Sequence, residues 1–276
     1  MNDTFKRAIV LTDISGLGNC SGAANIAVLS HFGVEPCLLP TAVLSAQTGF
    51  KDYTVALLDE SFEQECESIC NIDPHADAVY MGFIVSLRQC KAAKRLIDYY
   101  RTKGAKIVVD TIVGDRGERF SFINDEIFDE IITIAKSADV ITPNITELCL
   151  LTGEDYKTLL SLEEKAAIAR IETLCRNFIG DTEQTVIVTG FESGDDIANI
   201  SVTKQSTDIY RAKRYGGSLS GTGDIFTSFI CAALANGESI GEAAKRAGEF
   251  ISNAAKQLQG ENMDRNYGVP FQKFLG

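Results

Sequence analysis

Short apolar runs rich in β-branched residues alternate along this chain with longer segments of helical periodicity. Runs such as 7–12 and 105–110 have the length and composition of buried strands, whereas 87–103 and 125–137 have the apolar spacing of amphipathic helices. Parallel strands need a crossover between them, usually a helix, so this alternation is typical of βαβ units. We therefore expect an α/β fold, a three-layer sandwich in which a mainly parallel central sheet carries helices on both faces.

Turn and cap residues mark the remaining elements. Gly104 and Gly153 are placed to end helices, and Ser161 with Glu164 predicts a capping box at the start of another. Further strands are expected at 34–40, 76–83, 138–143 and 184–189 with two more within 197–211, and further helices at 22–32, 146–152, 161–178 and, as a pair, from 222 to about 259. No repeat, low-complexity segment or linker interrupts the pattern, so we expect a single domain over residues 1–276.

The formal net charge of −12 restricts the partners of this protein. A polyanion would be repelled and no Lys/Arg block offsets this, so no nucleic-acid partner is expected. The chain has no stretch of about 18 uncharged apolar residues, and its first ten residues lack the apolar region of a secretion signal. We therefore predict a cytoplasmic protein with no membrane partner. An anionic small substrate would need a local device, such as a cation or a helix N-terminus.

The segment "SGTGDIFTSF" (220–229) lies where a glycine loop becomes a helix. Gly221 and Gly223 allow a close backbone approach, and the first N–H groups of the helix form an anion site. Asp224 would repel a bound phosphate unless it meets the acceptor of that phosphate. A hydroxyl between the two could lose its proton to Asp224 as it attacks. The alternative is that Asp224 is an ordinary first-turn acid, which helices favour.

The segment "SGTGDIFTSFICAAL" (220–234) resembles the C-terminal signature of the ribokinase-like superfamily. Within that superfamily, residues 13–50 resemble the N-terminal region of the pyridoxal/pyridoxamine kinases. The blocks "MGFIVS" (81–86), "DTIVGDRGERF" (110–120) and "ADVITPNITELCLLTG" (138–153) follow in the order of that family. The resemblance covers nearly the whole chain. It implies a ribokinase-like fold and ATP-dependent phosphorylation of the 5′-hydroxymethyl group of a vitamin B6 vitamer.

The resemblance also implies roles for particular residues. Asp224 would be the catalytic base and Gly221, Thr222 and Gly223 the anion hole. The vitamer would be held by Asp224 together with Asp13, Ser15, Val43, Thr48 and Phe83. The nucleotide would be bound by Asp110, Asp115, Asn144, Glu147, Thr189, Arg211, Lys213 and Thr222, of which Arg211 and Lys213 belong to a basic loop at 210–218. A homodimer is the usual assembly of the family.

A magnesium site is predicted for the same edge of the sheet. Asp110 and Asp115 follow a predicted strand five residues apart, a spacing at which two carboxylates can hold Mg²⁺, often through water. The resemblance adds Glu147 to these two as a third metal-binding residue. Asn144 and Glu147 also have the spacing of a capping box, and the two roles are compatible.

Three departures from the family pattern concern the ring pocket and the segment 110–115. Gln47 stands in place of a histidine, Phe83 in place of a tyrosine, and Thr111 and Val113 in place of proline and methionine. These departures leave hydroxymethylpyrimidine kinase, of the same superfamily, as an alternative. The segment "GLGNCSG" (16–22) resembles the glycine motif of a dinucleotide oxidoreductase, but this sequence lacks the third glycine of that motif and the ribose-binding acid. A binding protein without turnover would not need Asp224.

Overall fold

The computed structural model describes residues 5–259 and 263–275, which form a nine-stranded sheet, a separate two-stranded hairpin and nine α-helices. The strands are β1 (Lys6–Leu17), β2 (Val34–Ala46), β3 (Val55–Leu57), β4 (Ala78–Met81), β5 (Lys106–Val109), β6 (Gly114–Asp115), β7 (Glu118–Arg119), β8 (Val140–Ile141), β9 (Thr185–Ser193), β10 (Asp196–Val202) and β11 (Thr207–Lys213). The helices are α1 (Ser21–His31), α2 (Asp59–Ile72), α3 (Leu87–Thr102), α4 (Asp125–Ser137), α5 (Ile145–Thr152), α6 (Tyr156–Leu160), α7 (Glu164–Ile179), α8 (Thr222–Asn236) and α9 (Ile240–Gln257).

The large sheet has the strand order β11-β10-β9-β8-β5-β4-β1-β2-β3. The six strands from β9 to β2 run parallel to their neighbours, and antiparallel strands flank them, with β3 at one edge and β10 and β11 at the other. The predicted α/β architecture with a mainly parallel sheet is therefore confirmed, and the two strands predicted within 197–211 do form an antiparallel pair.

Alternate side chains of the central strands pack into two apolar cores, one on each face of the sheet. One core joins the sheet to α2, α3, α4, α5 and α7, and the other joins it to α1, α8, α9 and the apolar side chains after residue 268. In β4, for example, Val79 and Met81 point into the first core and Ala78 and Tyr80 into the second. This two-sided burial explains why the central strands read as continuous apolar runs.

Several sequence-based element predictions needed correction. Residues 210–213, expected in a basic loop, belong to the edge strand β11. The predicted capping box of Ser161 and Glu164 is wrong, because α7 begins at Glu164 with Glu163 as its N-cap and no side-chain cap bond. The strand β3, the helix α2 and the β6–β7 hairpin were not predicted at all. Within residues 5–259 and 263–275, no helix combines the length and apolarity needed to cross a membrane.

Candidate active site

The glycine loop meets α8 at a backbone position that only glycine fits. Gly221 is the N-cap of α8 with φ of +77°, and a Cβ built on it would lie under 3.0 Å from the carbonyl oxygen of Asn19. The N–H of Ile225 donates to the Gly221 carbonyl at 3.1 Å. Among the described residues, the three preceding N–H groups, of Thr222, Gly223 and Asp224, have no acceptor. They form a cluster of free donors at the positive end of the helix dipole, which suits a phosphate group.

Asp224 lies in the first turn of α8 but is held by another helix. Its Oδ2 accepts a hydrogen bond of 2.9 Å from the backbone N–H of Ser21, at the start of α1, and its Oδ1 is inaccessible to solvent without a hydrogen-bond partner among the described residues. Burial raises the pKa of Asp224 to about 7, and the nearby charge of Asp13 acts in the same direction. The carboxyl can therefore exchange a proton near neutral pH, which suits a general base.

A second buried carboxyl, that of Asp110, lies beside the free N–H groups. Asp110 follows β5 directly, and its Oδ2 is 3.5 Å from the position that a Cβ on Gly223 would occupy. Burial raises the pKa of Asp110 well above its usual range, and the charges of Glu147 and Asp224 add to this. The structure therefore brings two of the predicted site carboxyls, Asp110 and Asp224, to the same helix N-terminus.

Glu147 is also buried at this edge, and its carboxyl accepts three hydrogen bonds. It forms the capping box of α5 with Asn144, accepting from the Asn144 N–H at 2.8 Å while the Asn144 side chain accepts from the Glu147 N–H at 2.9 Å. It also accepts from the Thr111 hydroxyl at 3.0 Å and the Val113 N–H at 3.2 Å. Burial nevertheless raises the pKa of Glu147 to about 7.

The three predicted magnesium residues are only partly assembled. The charge of Glu147 raises the pKa of Asp110, and the charge of Asp115 raises that of Glu147, but the Asp115 side chain is exposed on the β6–β7 hairpin, 3.7 Å from the guanidinium of Arg116. No group of three His, Cys, Asp or Glu side chains that could hold a metal ion occurs among the described residues. Two mutually repelling buried carboxyls nevertheless fit a hard divalent cation that takes most of its ligands from water and phosphate.

The predicted ring-binding residues are divided between the interior and the surface. Asp13 and Ser15 are buried at the end of β1, where the Ser15 hydroxyl donates to Asp13 Oδ2 at 2.8 Å, and burial raises the pKa of Asp13. Phe83, after β4, is partly buried with its ring centroid 5.6 Å from that of Phe122. Val43 on β2 and Thr48 in the following turn are exposed. The structure therefore links Asp13 and Ser15 to each other and places Val43 beside Ile14 of β1.

Gln47, which replaces the family's histidine, contacts the glycine loop and the C-terminal segment. Its Oε1 accepts from the Gly49 N–H at 2.8 Å, and its Nε2 donates to the Asn266 carbonyl at 3.3 Å and the Ser220 hydroxyl at 3.4 Å. The Asn266 amide donates to the Gly49 carbonyl at 3.1 Å. Gln47 thus ties the turn after β2 to the residue preceding Gly221.

The basic side chains predicted to bind the nucleotide are paired with acids in this structure. Arg211 forms an ion pair of 2.8 Å with Glu164 and a hydrogen bond with Ser193, and Lys213 forms an ion pair of 2.8 Å with Asp196. The expected positive patch is therefore largely neutralised. Thr189, by contrast, lies at the carboxyl end of the parallel sheet, where its N–H donates to the Pro143 carbonyl at 2.9 Å beside Asn144.

Two residues of this region were not singled out from the sequence. Ser21, which donates to Asp224, has φ of +50°, a conformation that is uncommon outside glycine and that concentrates at functional sites. Tyr80 of β4 is fully buried beneath Asp110 and Asp224. A tyrosine within an otherwise aliphatic strand was the available signal for Tyr80, whereas nothing in the sequence marked the backbone of Ser21.

Comparisons with known proteins agree with this arrangement. Residues 18–269 match the phosphomethylpyrimidine kinase family. A hydroxymethylpyrimidine/phosphomethylpyrimidine kinase from Staphylococcus aureus is 26% identical over 254 residues, covering 90% of this chain and 88% of the relative.

Two solved structures resemble the whole chain. A provisionally named phosphomethylpyrimidine kinase from Bacteroides thetaiotaomicron, crystallised with pyridoxal, superposes with a TM-score of 0.89 at 28% identity, covering 99% of this chain and 95% of that protein. The pyridoxal kinase from Staphylococcus aureus in complex with AMP-PCP and pyridoxal superposes with a TM-score of 0.76 at 21% identity, covering 96% and 92%. The fold is that of the ribokinase-like kinases, as the sequence resemblance implied. Within this class, the chain belongs to the phosphomethylpyrimidine kinase family.

Proposed function

We propose that this protein is an ATP-dependent kinase that phosphorylates the 5′-hydroxymethyl group of pyridoxal, pyridoxine or pyridoxamine. The observation that carries the proposal is Asp224, a carboxyl with a raised pKa placed directly beside three free N–H groups at the start of α8. The pyridoxal present in the similar Bacteroides structure supports a B6 vitamer as the acceptor.

In the proposed mechanism, the N–H groups of Thr222, Gly223 and Asp224 bind the terminal phosphate of ATP and stabilise the charge that develops on it. Asp224 takes the proton of the substrate hydroxyl as the hydroxyl oxygen forms its bond to phosphorus and the bond to the ADP oxygen breaks. A loose transition state needs only a weak and late base, which a carboxylate can provide. Ser21 holds the carboxylate in place through its N–H.

Asp110 and Glu147 are proposed to hold Mg²⁺ with the nucleotide phosphates, with Asp115 contributing through water. The ion would supply charge neutralisation along the phosphate chain. Asn144 fixes Glu147 through the capping box, and Thr189 lies beside Asn144 at the predicted nucleotide site. Arg211 and Lys213 would contact the nucleotide only after exchanging their present acidic partners.

Asp13 and Ser15 are proposed to bind polar substituents of the substrate ring, with Val43, Thr48 and Phe83 lining the same pocket. Asp13 also adds to the negative potential at Asp224. A hydroxymethylpyrimidine is the second candidate substrate, and it is favoured by the curated relatives of similar length, which carry that activity in their names. Both substrates present a hydroxymethyl group on a nitrogen heterocycle, so the same base and anion hole serve either reaction.

The test is ADP release from Mg²⁺-ATP with pyridoxal, pyridoxine, pyridoxamine, hydroxymethylpyrimidine and ribose in parallel. Asp224→Asn is expected to lower turnover by at least about 100-fold while nucleotide binding is retained. Asp208→Asn, which changes an exposed acid on β11, is the matched control. Turnover of the pyrimidine alone would move the assignment to the second candidate, and normal turnover by Asp224→Asn would refute the mechanism.

We also propose a single domain over residues 1–276, a cytoplasmic location and a homodimer. Exposed apolar side chains on three neighbouring strands support a dimer, since Ile14 of β1, Val43 of β2 and Leu57 of β3 lie on the last three strands towards the β3 edge of the sheet. Sedimentation equilibrium tests the dimer directly. Val43→Asp is expected to yield a monomer if this edge is the interface, and a monomeric wild-type protein would contradict the proposal.

A further inference from the structure

Tyr80 combines complete burial with an unsatisfied hydroxyl. It lies in the central strand β4, between Val10 of β1 and Val108 of β5 in the sheet register, and no part of it is exposed. Its hydroxyl has no hydrogen-bond partner of good geometry among the described residues. Leaving a buried donor unpaired is costly, so an aliphatic side chain would be the simpler solution at a purely structural position.

The surroundings of the hydroxyl are the polar groups of the proposed site. Asp110, Asp224 and Asn25 are the groups whose charge or hydrogen bonding acts on Tyr80, and burial together with the two carboxyls raises the pKa of Tyr80 well above its usual range. The Tyr80 hydroxyl in turn opposes the rise in the pKa of both Asp110 and Asp224, although it forms no hydrogen bond with either in this structure. The phenol of Tyr80 therefore stays protonated, and towards a charged carboxylate it acts as the hydrogen-bond donor.

Asp224 has one oxygen available for such a bond. Its Oδ2 accepts from the Ser21 N–H, whereas its Oδ1 is buried and unpartnered, as is the hydroxyl of Tyr80. Two hydrogen bonds connect Asn25 to the backbone of Asp224. The Asn25 side-chain amide donates to the Ser228 hydroxyl at 2.8 Å, and the Ser228 hydroxyl donates to the backbone carbonyl of Asp224 at 2.7 Å. The Tyr80 hydroxyl and Asp224 Oδ1 are thus both unpaired within one buried polar cluster, which also contains the unpaired Oδ1 of Asn25; of these two acceptors only Asp224 can carry a negative charge.

We propose that Tyr80 is a positioning residue for the catalytic base, which donates its hydroxyl hydrogen to Oδ1 of Asp224 when that carboxyl is charged. This inference rests on the proposed function and adds a residue to it. With Ser21 on Oδ2 and Tyr80 on Oδ1, the carboxylate is fixed from two sides, and a lone pair of Oδ2 remains available to the substrate hydroxyl. Tyr80 itself touches neither the substrate nor the nucleotide.

The variant Tyr80→Phe removes the hydroxyl and keeps the ring that fills the core. It is expected to lower kcat about 10- to 100-fold, the effect of losing one hydrogen bond to a charged group, while the KM values for ATP and for the alcohol stay within about twofold. The matched control is Tyr100→Phe, because Tyr100 is equally buried and donates to the Ile69 carbonyl at 3.3 Å, away from the site. Tyr100→Phe is expected to leave kcat unchanged. An unchanged kcat in Tyr80→Phe would overturn the proposal.

Two double variants identify the partner of Tyr80. Adding Tyr80→Phe to Asp224→Asn is expected to cause no further loss of kcat, since the charged acceptor is already absent, whereas adding it to Asp110→Asn should still lower kcat about 10-fold or more. A further loss of kcat on the Asp224→Asn background, with none on the Asp110→Asn background, would make Asp110 the hydrogen-bond partner of Tyr80 and overturn the proposal.

The same single and double variants are also compared by urea unfolding of the protein without substrate at pH 8. Tyr80→Phe and Asp224→Asn should have non-additive effects on the free energy of unfolding, and additivity would count against their contact. This measurement needs no substrate. A failure of the proposed function in the alcohol panel is therefore distinguishable from a failure of the role proposed for Tyr80.

Discussion

Gly221 and Gly223 flank Thr222 in the proposed anion hole, yet the structure predicts that alanine has opposite effects on stability at the two positions. At Gly221, φ of +77° is left-handed, which costs an L-residue about 1–2 kcal/mol. The new Cβ would also lie under 3.0 Å from the Asn19 carbonyl oxygen and 3.0 Å from the Cys20 Cα, both backbone atoms. Overpacking of this kind costs a further ~1–3 kcal/mol. Gly221→Ala should therefore destabilise the fold by about 2–5 kcal/mol.

Gly223 has neither constraint. It lies in the first turn of α8 without a positive φ, and its Cβ would meet Asp110 Oδ2 at an ordinary contact distance of 3.5 Å. Alanine favours a helix over glycine by up to about 1 kcal/mol, so Gly223→Ala should be neutral or stabilising. Its methyl group would nevertheless project beside Asp110 and the free N–H groups, and we expect it to raise the KM for ATP and lower kcat.

Urea unfolding at a fixed pH, together with ADP-release kinetics, measures both effects. The expected result is a lower urea midpoint for Gly221→Ala with an unchanged slope, and a wild-type or higher midpoint for Gly223→Ala with impaired kinetics. Equal loss of stability in the two variants would refute the reasoning, because it would mean that neither the backbone conformation nor the contact with Asn19 distinguishes the two glycines.

Three further predictions concern the carboxyls and Gln47. Because the pKa values of Asp224 and Glu147 are raised to about 7, the folded state keeps protons that the unfolded chain releases. The free energy of unfolding should therefore fall as pH rises from about 4 to 7, by ~1.4 kcal/mol for each unit by which a pKa is raised. Urea midpoints measured across this pH range test the prediction. The midpoint of Asp224→Asn should fall less than that of the wild type, and an equal fall would contradict a raised pKa at Asp224. Glu147→Gln keeps one oxygen to cap α5 but sets a buried NH2 group against one of the donors that the carboxyl accepts from, so it should lower the free energy of unfolding by about 1–3 kcal/mol while its KM for Mg²⁺-ATP rises; an unchanged KM would exclude Glu147 from the nucleotide site. Gln47→Ala removes the link between Gly49 and Ser220 and should raise the KM for the alcohol more than it lowers kcat, which initial-rate kinetics at saturating ATP would show.

The sequence was informative where one physical signal dominated. The helix predicted at 125–137 has those bounds in the structure, because Asn124 caps it and its apolar residues recur at helical spacing. By contrast, α2 was not predicted; only Phe62 and Cys66 of its 14 residues are buried, and the segment is strongly acidic. The three residues of β3 are all exposed, so no alternation between faces was there to detect.

Contacts between side chains that are distant in the sequence could not be predicted from the sequence. The pattern Ser161–Glu164 resembled a capping box as closely as Asn144–Glu147 did, but Glu164 instead pairs with Arg211 from β11, 47 residues away. The same contact neutralises a basic side chain that the sequence presented as free. Similarly, the composition of β4 showed a tyrosine among aliphatic residues, whereas its position beneath two carboxyls depends on the packing of α8 against the sheet.

The environment of Asp224 supports the catalytic role proposed for it over that of an ordinary first-turn acid. A helix-stabilising acid gains from exposure and from donors of its own helix, and its charged form is favoured there. Asp224 has the opposite properties: its raised pKa shows that burial disfavours the charge, and its hydrogen bond comes from Ser21 of α1, whose backbone is itself held at a positive φ. Asn at this position would keep the oxygen that accepts from Ser21 and avoid the cost of a buried charge. A carboxyl in such a place therefore supports the proposed chemistry, which needs a proton acceptor, over a role in the stability of α8.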